Sequence, residues 1–211
     1  MRHLAVDWLQ LCRRVGARGD VAGAGARLLG RWAELHRAYH DLAHLDEVLA
    51  RVGVLAAEAD DADTVLLAAW FHDAVYDPTA SDNEERSAEL ATVALSRLDI
   101  APARVADVAR LVRLTATHDV APGDADGAVL CDADLAVLAA DQLRYASYIE
   151  GVRREYAHVD DAAFAAGRAQ VLATLLDRPA LFRTEHGRAE WEGRARANAG
   201  AELSRLRGGS G

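Results

Sequence analysis

Proline is scarce in this chain, and its scarcity constrains the fold more than any other sequence feature. The 211 residues include only Pro78, Pro102, Pro122 and Pro179. Because proline breaks helix interiors and central strands, the long segments between these positions can form uninterrupted regular structure. They are rich in Ala, Leu, Arg and Glu, which are strong helix formers, and their apolar residues recur three and four positions apart. The sequence therefore predicts an all-α fold, a bundle of about eight to ten helices.

Aspartates mark several of the expected helix starts. Asp60 and Asp61 precede the apolar segment 64–75, Asp124 and Asp126 precede 128–140, and Asp160 and Asp161 precede 162–176. An aspartate at the N-cap accepts hydrogen bonds from the free backbone amides of the first turn. Pro102 is expected in the first turn of a helix, and Pro78 in the loop that follows a helix over 65–76. We expect one domain over residues 1–207 and a flexible tail over 208–211.

Charge and cysteine usage limit the classes of partner. The chain has 33 acidic residues against 24 basic ones, all of them Arg, which gives a formal net charge of −9. Such a surface repels long nucleic acids and anionic membranes on average, although a few Arg side chains can still bind a small anion. No apolar run reaches the roughly 18 residues of a membrane span. The two cysteines, Cys12 and Cys131, form no disulfide framework, and no secretion leader is recognisable, so we expect a reduced, cytoplasmic protein.

Three segments place carboxylates in apolar surroundings, and two of them also contain histidine. They are Tyr39-His40-Asp41-Leu42-Ala43-His44-Leu45, Trp70-Phe71-His72-Asp73-Ala74-Val75-Tyr76 and Leu130-Cys131-Asp132-Ala133-Asp134-Leu135. If the first segment is helical, its two histidines, four positions apart, share one face. Burying the His-Asp pair of the second segment is costly unless its charge meets a partner such as a divalent cation.

Each cluster alone also has a structural explanation. His40 and His44 could lie on a partly exposed helix face, and His72 with Asp73 could form a hydrogen bond in the core. An aspartate before segment 135–140 is also typical of an N-cap. Together, however, two imidazoles and two carboxylates suit a divalent ion such as Mn, Fe, Co, Ni or Zn, with positions left open for water.

The order of these clusters resembles the H…HD…D pattern of the HD-domain superfamily, and especially its branch of predicted metal-dependent HD phosphohydrolases. The similarity covers residues 37–44, 70–78, 83–88 and 132–135, and continues through Tyr156, Gly167-Arg168 and 181–184. It implies a helical bundle around a divalent metal ion, with Mn, Co, Ni, Fe, Zn or Mg as candidates. A second metal ion and a homodimer are compatible with it.

The resemblance also implies the ligands. It places them at His44, His72, Asp73 and Asp134, with Asp132 as the rival of Asp134. Residues two positions apart on a helix differ by about 200° in direction, so only one of the two aspartates should face the metal. The family context favours Asp134 and leaves Asp132 as a helix cap.

The activity implied is metal-dependent hydrolysis of a small phosphate ester or anhydride, with a nucleotide as the expected substrate. Asp73 would bind the metal and steer water, and Glu84 or Glu85 would act as general base. Candidate phosphate contacts are Arg37, His40 and Arg86, and His118 would complete a second metal site or contact the substrate.

These roles have alternatives as well. The two glutamates suit the first turn of a helix, any one Arg suits a solvated surface, and His118 suits a helix C-terminus. An HD-like module that binds metal or nucleotide without turnover is the competing function. Other chemistries have less support, because the sequence contains no Gly-x-Ser-x-Gly elbow, no Walker loop and no dinucleotide fingerprint.

Overall fold

The fold is built from helices joined by short turns. The computed structural model describes residues 2–208. Its α-helices are α1 (Arg2–Arg14), α2 (Val21–Trp32), α3 (Leu42–Leu55), α4 (Ala62–Phe71), α5 (Asn83–Ser96), α6 (Pro102–Leu114), α7 (Ala125–Leu135), α8 (Gln142–Glu155), α9 (Asp161–Leu176) and α10 (Glu192–Gly208). Short 3-10 turns follow α3 and α7, and a π-helical turn, Gly187–Trp191, precedes α10. No strand occurs between residues 2 and 208, which confirms the predicted all-α fold. The predicted tail begins inside α10 at Gly208, and its residues 209–211 lie outside the described residues.

The helix starts follow the predicted caps. Asp61, Asp124 and Asp160 are the N-caps of α4, α7 and α9. Each side chain accepts a hydrogen bond from a first-turn amide, at 3.1, 3.0 and 2.9 Å respectively. Pro102 occupies the first turn of α6, where its missing N–H has no intrahelical partner to lose. Local capping chemistry therefore sets these helix boundaries.

The central helix of the bundle is α4. It is apolar around its whole circumference, and seven of its ten residues are buried, as expected for a helix enclosed by others. Its neighbours include α1, α3, α5, α6 and α7. Trp70 near its end packs edge-on against Trp8, with ring centroids 5.3 Å apart. Among the described residues, no helix has both the length and the apolar character needed to cross a bilayer.

Two helix boundaries differ from the prediction, and both affect the metal centre. The helix expected over 65–76 ends at Phe71, because outside partners bind the backbone beyond it. Arg37 donates to the carbonyls of Asp73 and Ala74, and the Ser87 hydroxyl binds the backbone of Val75.

His40 also lies outside the helix that was expected to carry it. The N-cap of α3 is Asp41, which accepts hydrogen bonds from the amides of Ala43 and His44. The four-residue helical repeat therefore does not relate His40 to His44, although their rings still pack 5.6 Å apart.

Candidate metal centre

The centre of the site consists of two imidazoles and one carboxylate from three different helices. His44 comes from the first turn of α3, His72 follows the last residue of α4, and Asp134 lies near the end of α7. The two Nε2 atoms are 3.2 Å apart. Asp134 Oδ1 lies 3.2 Å from Nε2 of His44 and 3.6 Å from Nε2 of His72. One ligand atom from each residue lies within 4.8 Å of the other two, so the group could hold a metal ion.

The hydrogen bonding of His72 suits a ligand. Its Nδ1 lies 2.8 Å from the carbonyl oxygen of Ala69, which can only accept, so Nδ1 carries the proton. When the ring is neutral, as metal binding requires, the lone pair is on Nε2, the atom that faces the cluster; when the ring is protonated, Nε2 instead carries a proton that faces Asp73 and Asp134. Both imidazoles are almost fully buried, and an apolar environment of this kind strengthens binding of an ion by its ligands. This donor set fits a divalent ion of the Mn-to-Zn series.

Asp73 lies beside this group. Its Oδ2 is 3.2 Å from Nε2 of His72 and 3.7 Å from Nε2 of His44. Burial alone would raise the pKa of Asp73, but the charge and hydrogen bond of His72, with the charge of His40, lower it below its ordinary value. Asp73 is therefore an ionised carboxylate within reach of both imidazoles.

Asp134 is held from two sides. While Oδ1 faces His44 and His72, Oδ2 accepts a hydrogen bond from His118 Nε2 at 2.8 Å. Burial would raise the pKa of Asp134, but the hydrogen bonds from His118, His44 and His72 keep it well below its ordinary value. The structure thus brings His118 to the candidate metal centre through Asp134.

Asp132 has a different role from the predicted helix cap. It lies inside α7, whose N-cap is Asp124, and it is 1% exposed. Its carboxylate accepts hydrogen bonds from the amides of Arg183 and Thr184 and from the Thr184 hydroxyl. The predicted cap before 135–140 is therefore wrong. Asp132 instead joins α7 to the segment that leads into α10, and we call this set of bonds the α7 clamp.

Gly187 belongs to the α7 clamp. Its amide donates to the Thr184 hydroxyl oxygen at 3.0 Å. A Cβ at this position would lie only 2.8 Å from Asp132 Oδ2 and from Thr184 Oγ1. Only glycine allows this close approach, which lets the π-helical turn pack directly against the carboxylate.

Replacing Asp132 with Asn should lower stability but leave the metal in place. Both carboxylate oxygens of Asp132 accept hydrogen bonds, whereas the side chain of Asn has only one oxygen that can accept. A buried donor that loses its acceptor costs about 1 to 3 kcal/mol. Urea unfolding would measure the loss, and elemental analysis should still find the metal. Loss of metal with unchanged stability would instead make Asp132 the ligand.

His118 has a strained backbone conformation. Its φ of 51° lies in the left-handed region, which costs a non-glycine residue roughly 1 to 2 kcal/mol. His118 closes the turn that follows α6, and its amide donates a hydrogen bond to the Leu114 carbonyl. Arg178 donates to the carbonyls of Thr117 and His118 and so fixes this turn. In this conformation the imidazole lies beside Asp134.

A comparison of His118→Gly with His118→Ala should reveal this strain. Both variants lose the hydrogen bond to Asp134, but only glycine adopts positive φ freely. We expect His118→Gly to be more stable than His118→Ala by about 1 kcal/mol in chemical denaturation. Equal stabilities would show that the backbone at this position is not strained.

Glu155 organises the side of the site that carries His40. Its Oε1 accepts hydrogen bonds from the successive amides of Ala38, Tyr39 and His40, at 2.8 to 2.9 Å. Its Oε2 accepts from His40 Nδ1 at 2.7 Å and from the Tyr76 hydroxyl at 2.8 Å. Burial alone would raise the pKa of Glu155, but these bonds lower it to about 2. With Nδ1 bound, Nε2 is the ring nitrogen of His40 that remains for a ligand.

The sequence reasoning did not identify Glu155, although a signal for it exists. Tyr145, Tyr148, Val152 and Glu155 are spaced three, four and three positions apart, which places them on one face of α8. The first three are aromatic or apolar and buried. A carboxylate that continues a buried face is expected to have several hydrogen-bond donors, because an unpaired buried charge is very costly.

Arg37 is not positioned as a phosphate contact. Its side chain is fully buried and donates to the carbonyls of His40, Asp73 and Ala74 and to Glu34. The guanidinium thus supports the turns that carry His40 and Asp73. The predicted contact with phosphate is corrected to a positioning role, because the donors are used by the backbone.

Two of the three candidate residues at the start of α5, Glu85 and Arg86, are held at the surface. Glu84 and Glu85 lie in the first turn of α5. Glu85 is exposed and forms two hydrogen bonds with Arg113, at 2.6 Å each. Arg86 is also exposed, lies 3.6 Å from Asp82, and lines a surface pocket that contains none of the three clustered ligands. The structure therefore does not bring Glu85 or Arg86 into the metal centre, since surface partners hold them elsewhere.

A cleft of about 730 Å³ opens beside the metal centre. Its lining includes His40, His118 and Asp134, together with apolar side chains of α8 and α9. This volume falls in the range of about 300 to 1,000 Å³ that is usual for small-molecule sites. The cleft is therefore large enough for an organic ligand in contact with the metal centre.

The chain was compared with protein-family models, curated proteins and solved structures, and none of them matched it.

Proposed function

We propose that the protein is a metal-dependent phosphohydrolase that acts on a small phosphate ester or anhydride. The observation that supports this most is the group of His44, His72 and Asp134 at the edge of a cleft of organic-ligand size. The resemblance to HD phosphohydrolases implies the same reaction, and it names nucleotides among the substrates to test. The two cysteines are free and buried, in keeping with a reduced compartment such as the cytoplasm.

In this proposal, His44, His72, Asp73 and Asp134 hold the metal ion. A bound divalent ion would offset phosphate charge and activate a water molecule for attack on phosphorus. Asp73 is suited to orient that water, because its ionised carboxylate accepts hydrogen bonds. His118 fixes Asp134 through the 2.8 Å hydrogen bond between Nε2 and Oδ2.

His40 is proposed to contact the phosphate. Glu155 binds its Nδ1 and fixes the ring, so Nε2 is free to donate a hydrogen bond to a phosphate oxygen when the ring is protonated. Burial disfavours the charged ring, but the hydrogen bond and charge of Glu155, with the charge of Asp73, raise the pKa of His40. A cationic imidazole at this position suits an anionic substrate.

A binding module without turnover is the second candidate. The placement of Glu85 favours it, because one of the two residues expected to act as general base is held at the surface by Arg113. Glu84 and Asp73 are then the acidic residues left to act on water. A measurement of substrate turnover distinguishes the phosphohydrolase from the binding module.

The test is phosphate release by protein reconstituted with Mn²⁺, Co²⁺, Ni²⁺ or Mg²⁺. Substrates should include nucleoside mono-, di- and triphosphates, sugar phosphates and aryl phosphates. We expect multiple turnovers that fall at least about 100-fold in Asp73→Asn, the order lost when a catalytic group is removed. Absence of turnover from protein shown to hold metal would favour the binding module. Full turnover in Asp73→Asn would place the chemistry elsewhere.

A further inference from the structure

The surface that lines the cleft beside the metal centre is mainly apolar. Tyr148 and Val152 of α8 line it together with Phe164, Val171 and Leu175 of α9. Although α9 is rich in apolar residues, Leu172 is the only one of its described residues that is fully buried. Apolar side chains left open beside a polar centre indicate a ligand surface.

The charged group on this wall is already neutralised. Arg168 donates two hydrogen bonds to Glu202, and its guanidinium lies over the Tyr148 ring at 4.9 Å from the centroid. Gln170 and Thr174 also line the cleft, and they hydrogen-bond to each other. The polar side chains that α9 contributes to this wall therefore already have protein partners, and the rest of its surface in the cleft is apolar.

Besides His40, the cleft has an arginine that is available for an anion. Arg178 uses two of its five N–H donors on the carbonyls of Thr117 and His118, whereas Arg37 uses four of its five, and Arg178 forms no ion pair with a carboxylate among residues 2–208. Its side chain lines the cleft next to the turn that carries His118. The guanidinium of Arg178 and the imidazole of His40 beside the metal centre suit one phosphate group.

From these observations we propose that the substrate is the phosphate monoester of an apolar alcohol or phenol. The inference rests on the proposed phosphohydrolase function. It names a substrate class that differs from the nucleotides implied by the resemblance. In the reaction, the oxygen of water bonds to phosphorus as the bond from phosphorus to the alcohol oxygen breaks. Water loses one proton and the alcohol oxygen gains one, so the products are the free alcohol and inorganic phosphate.

The first test compares phosphate esters that differ in their organic group. With metal-loaded protein, we expect kcat/KM for 1-naphthyl phosphate to exceed that for glucose 6-phosphate, AMP and ATP by at least about tenfold, as burial of a ring system predicts. Turnover of the sugar phosphate or nucleotides with equal or higher kcat/KM would overturn this inference and leave the phosphohydrolase function intact.

A binding measurement makes the inference independent of turnover. Calorimetry would compare 1-naphthylmethylphosphonate with methylphosphonate, neither of which is hydrolysed. We expect the naphthyl compound to bind at least about tenfold more tightly. Equal binding would overturn the apolar class. If no ester is turned over, the phosphohydrolase function fails, while the two phosphonates still decide what the cleft recognises.

Variants of the cleft wall complete the test. Phe164→Ser removes an aromatic wall, and Val171→Asn makes a milder change at a side chain that is 52% exposed. Val93→Asn is the matched control, because Val93 is 50% exposed on α5 and does not line the cleft. We expect the first two to weaken naphthyl phosphonate binding roughly three- to tenfold and leave methylphosphonate binding unchanged. Equal effects of Val171→Asn and Val93→Asn would contradict the proposal.

Discussion

Replacing Asp134 with Asn should remove the metal ion and with it the hydrolytic activity. The carboxylate provides the only oxygen ligand of the three-residue cluster and also binds His118. Loss of a residue that only supports a ligand costs about 10- to 100-fold in metal affinity, so loss of a ligand itself should cost at least about 100-fold. Elemental analysis after dialysis measures the metal, and circular dichroism checks that the helices persist.

Asp132→Asn is the matched control for this experiment. Both aspartates lie on α7, both are in the interior, and the chemical change is the same. We expect the control to keep its metal and to lose stability through the α7 clamp. A full complement of metal in Asp134→Asn would refute the ligand assignment.

Glu155→Gln should be the most destabilising single change proposed. The carboxylate accepts five hydrogen bonds, three of them from successive backbone amides, and its side chain is completely buried. Glutamine keeps one accepting oxygen and adds an NH₂ group that faces donors. Breaking a buried ion pair by removing one partner costs roughly 3 to 5 kcal/mol. Glu150→Gln, an exposed position on the same helix, should change the free energy of unfolding by less than about 0.5 kcal/mol.

The same carboxylate predicts a pH dependence of stability. Its folded pKa of about 2 lies below the ordinary value of 4.5, so its contribution is present above about pH 4.5 and is lost as pH falls toward 2. The shift corresponds to about 3 kcal/mol. Unfolding curves between pH 2 and pH 6 should show this loss in the wild type and a smaller loss in Glu155→Gln. Parallel curves for the two proteins would contradict the assignment.

The sequence predicted those features that depend on local interactions. The caps Asp61, Asp124 and Asp160 act on amides only three residues away, so their spacing is visible in the chain itself. The resemblance to HD phosphohydrolases implied His44, His72 and Asp134 as ligands, and the three residues do converge. Asp73 as a fourth ligand stays a prediction.

Features that depend on distant partners were not predictable in the same way. Asp132 resembles a cap in sequence, but its partners lie some fifty residues later, at Arg183 and Thr184. Arg37 resembles a free cation until the carbonyls of Asp73 and Ala74 are placed beside it. In the folded protein, the carboxylate of Asp132 and the guanidinium of Arg37 bind distant backbone groups. The sequence had indicated a helix cap for Asp132 and a phosphate contact for Arg37.

The α7 clamp has a consequence for biosynthesis. All four proposed ligands precede residue 135, yet the helix that carries Asp134 is secured by amides of residues 183 and 184. During synthesis, all four residues therefore leave the ribosome before the amides that secure α7. The full stability of α7 is therefore expected only after residue 184 has been synthesised, because until then the buried Asp132 carboxylate lacks the amides that it binds in the folded protein.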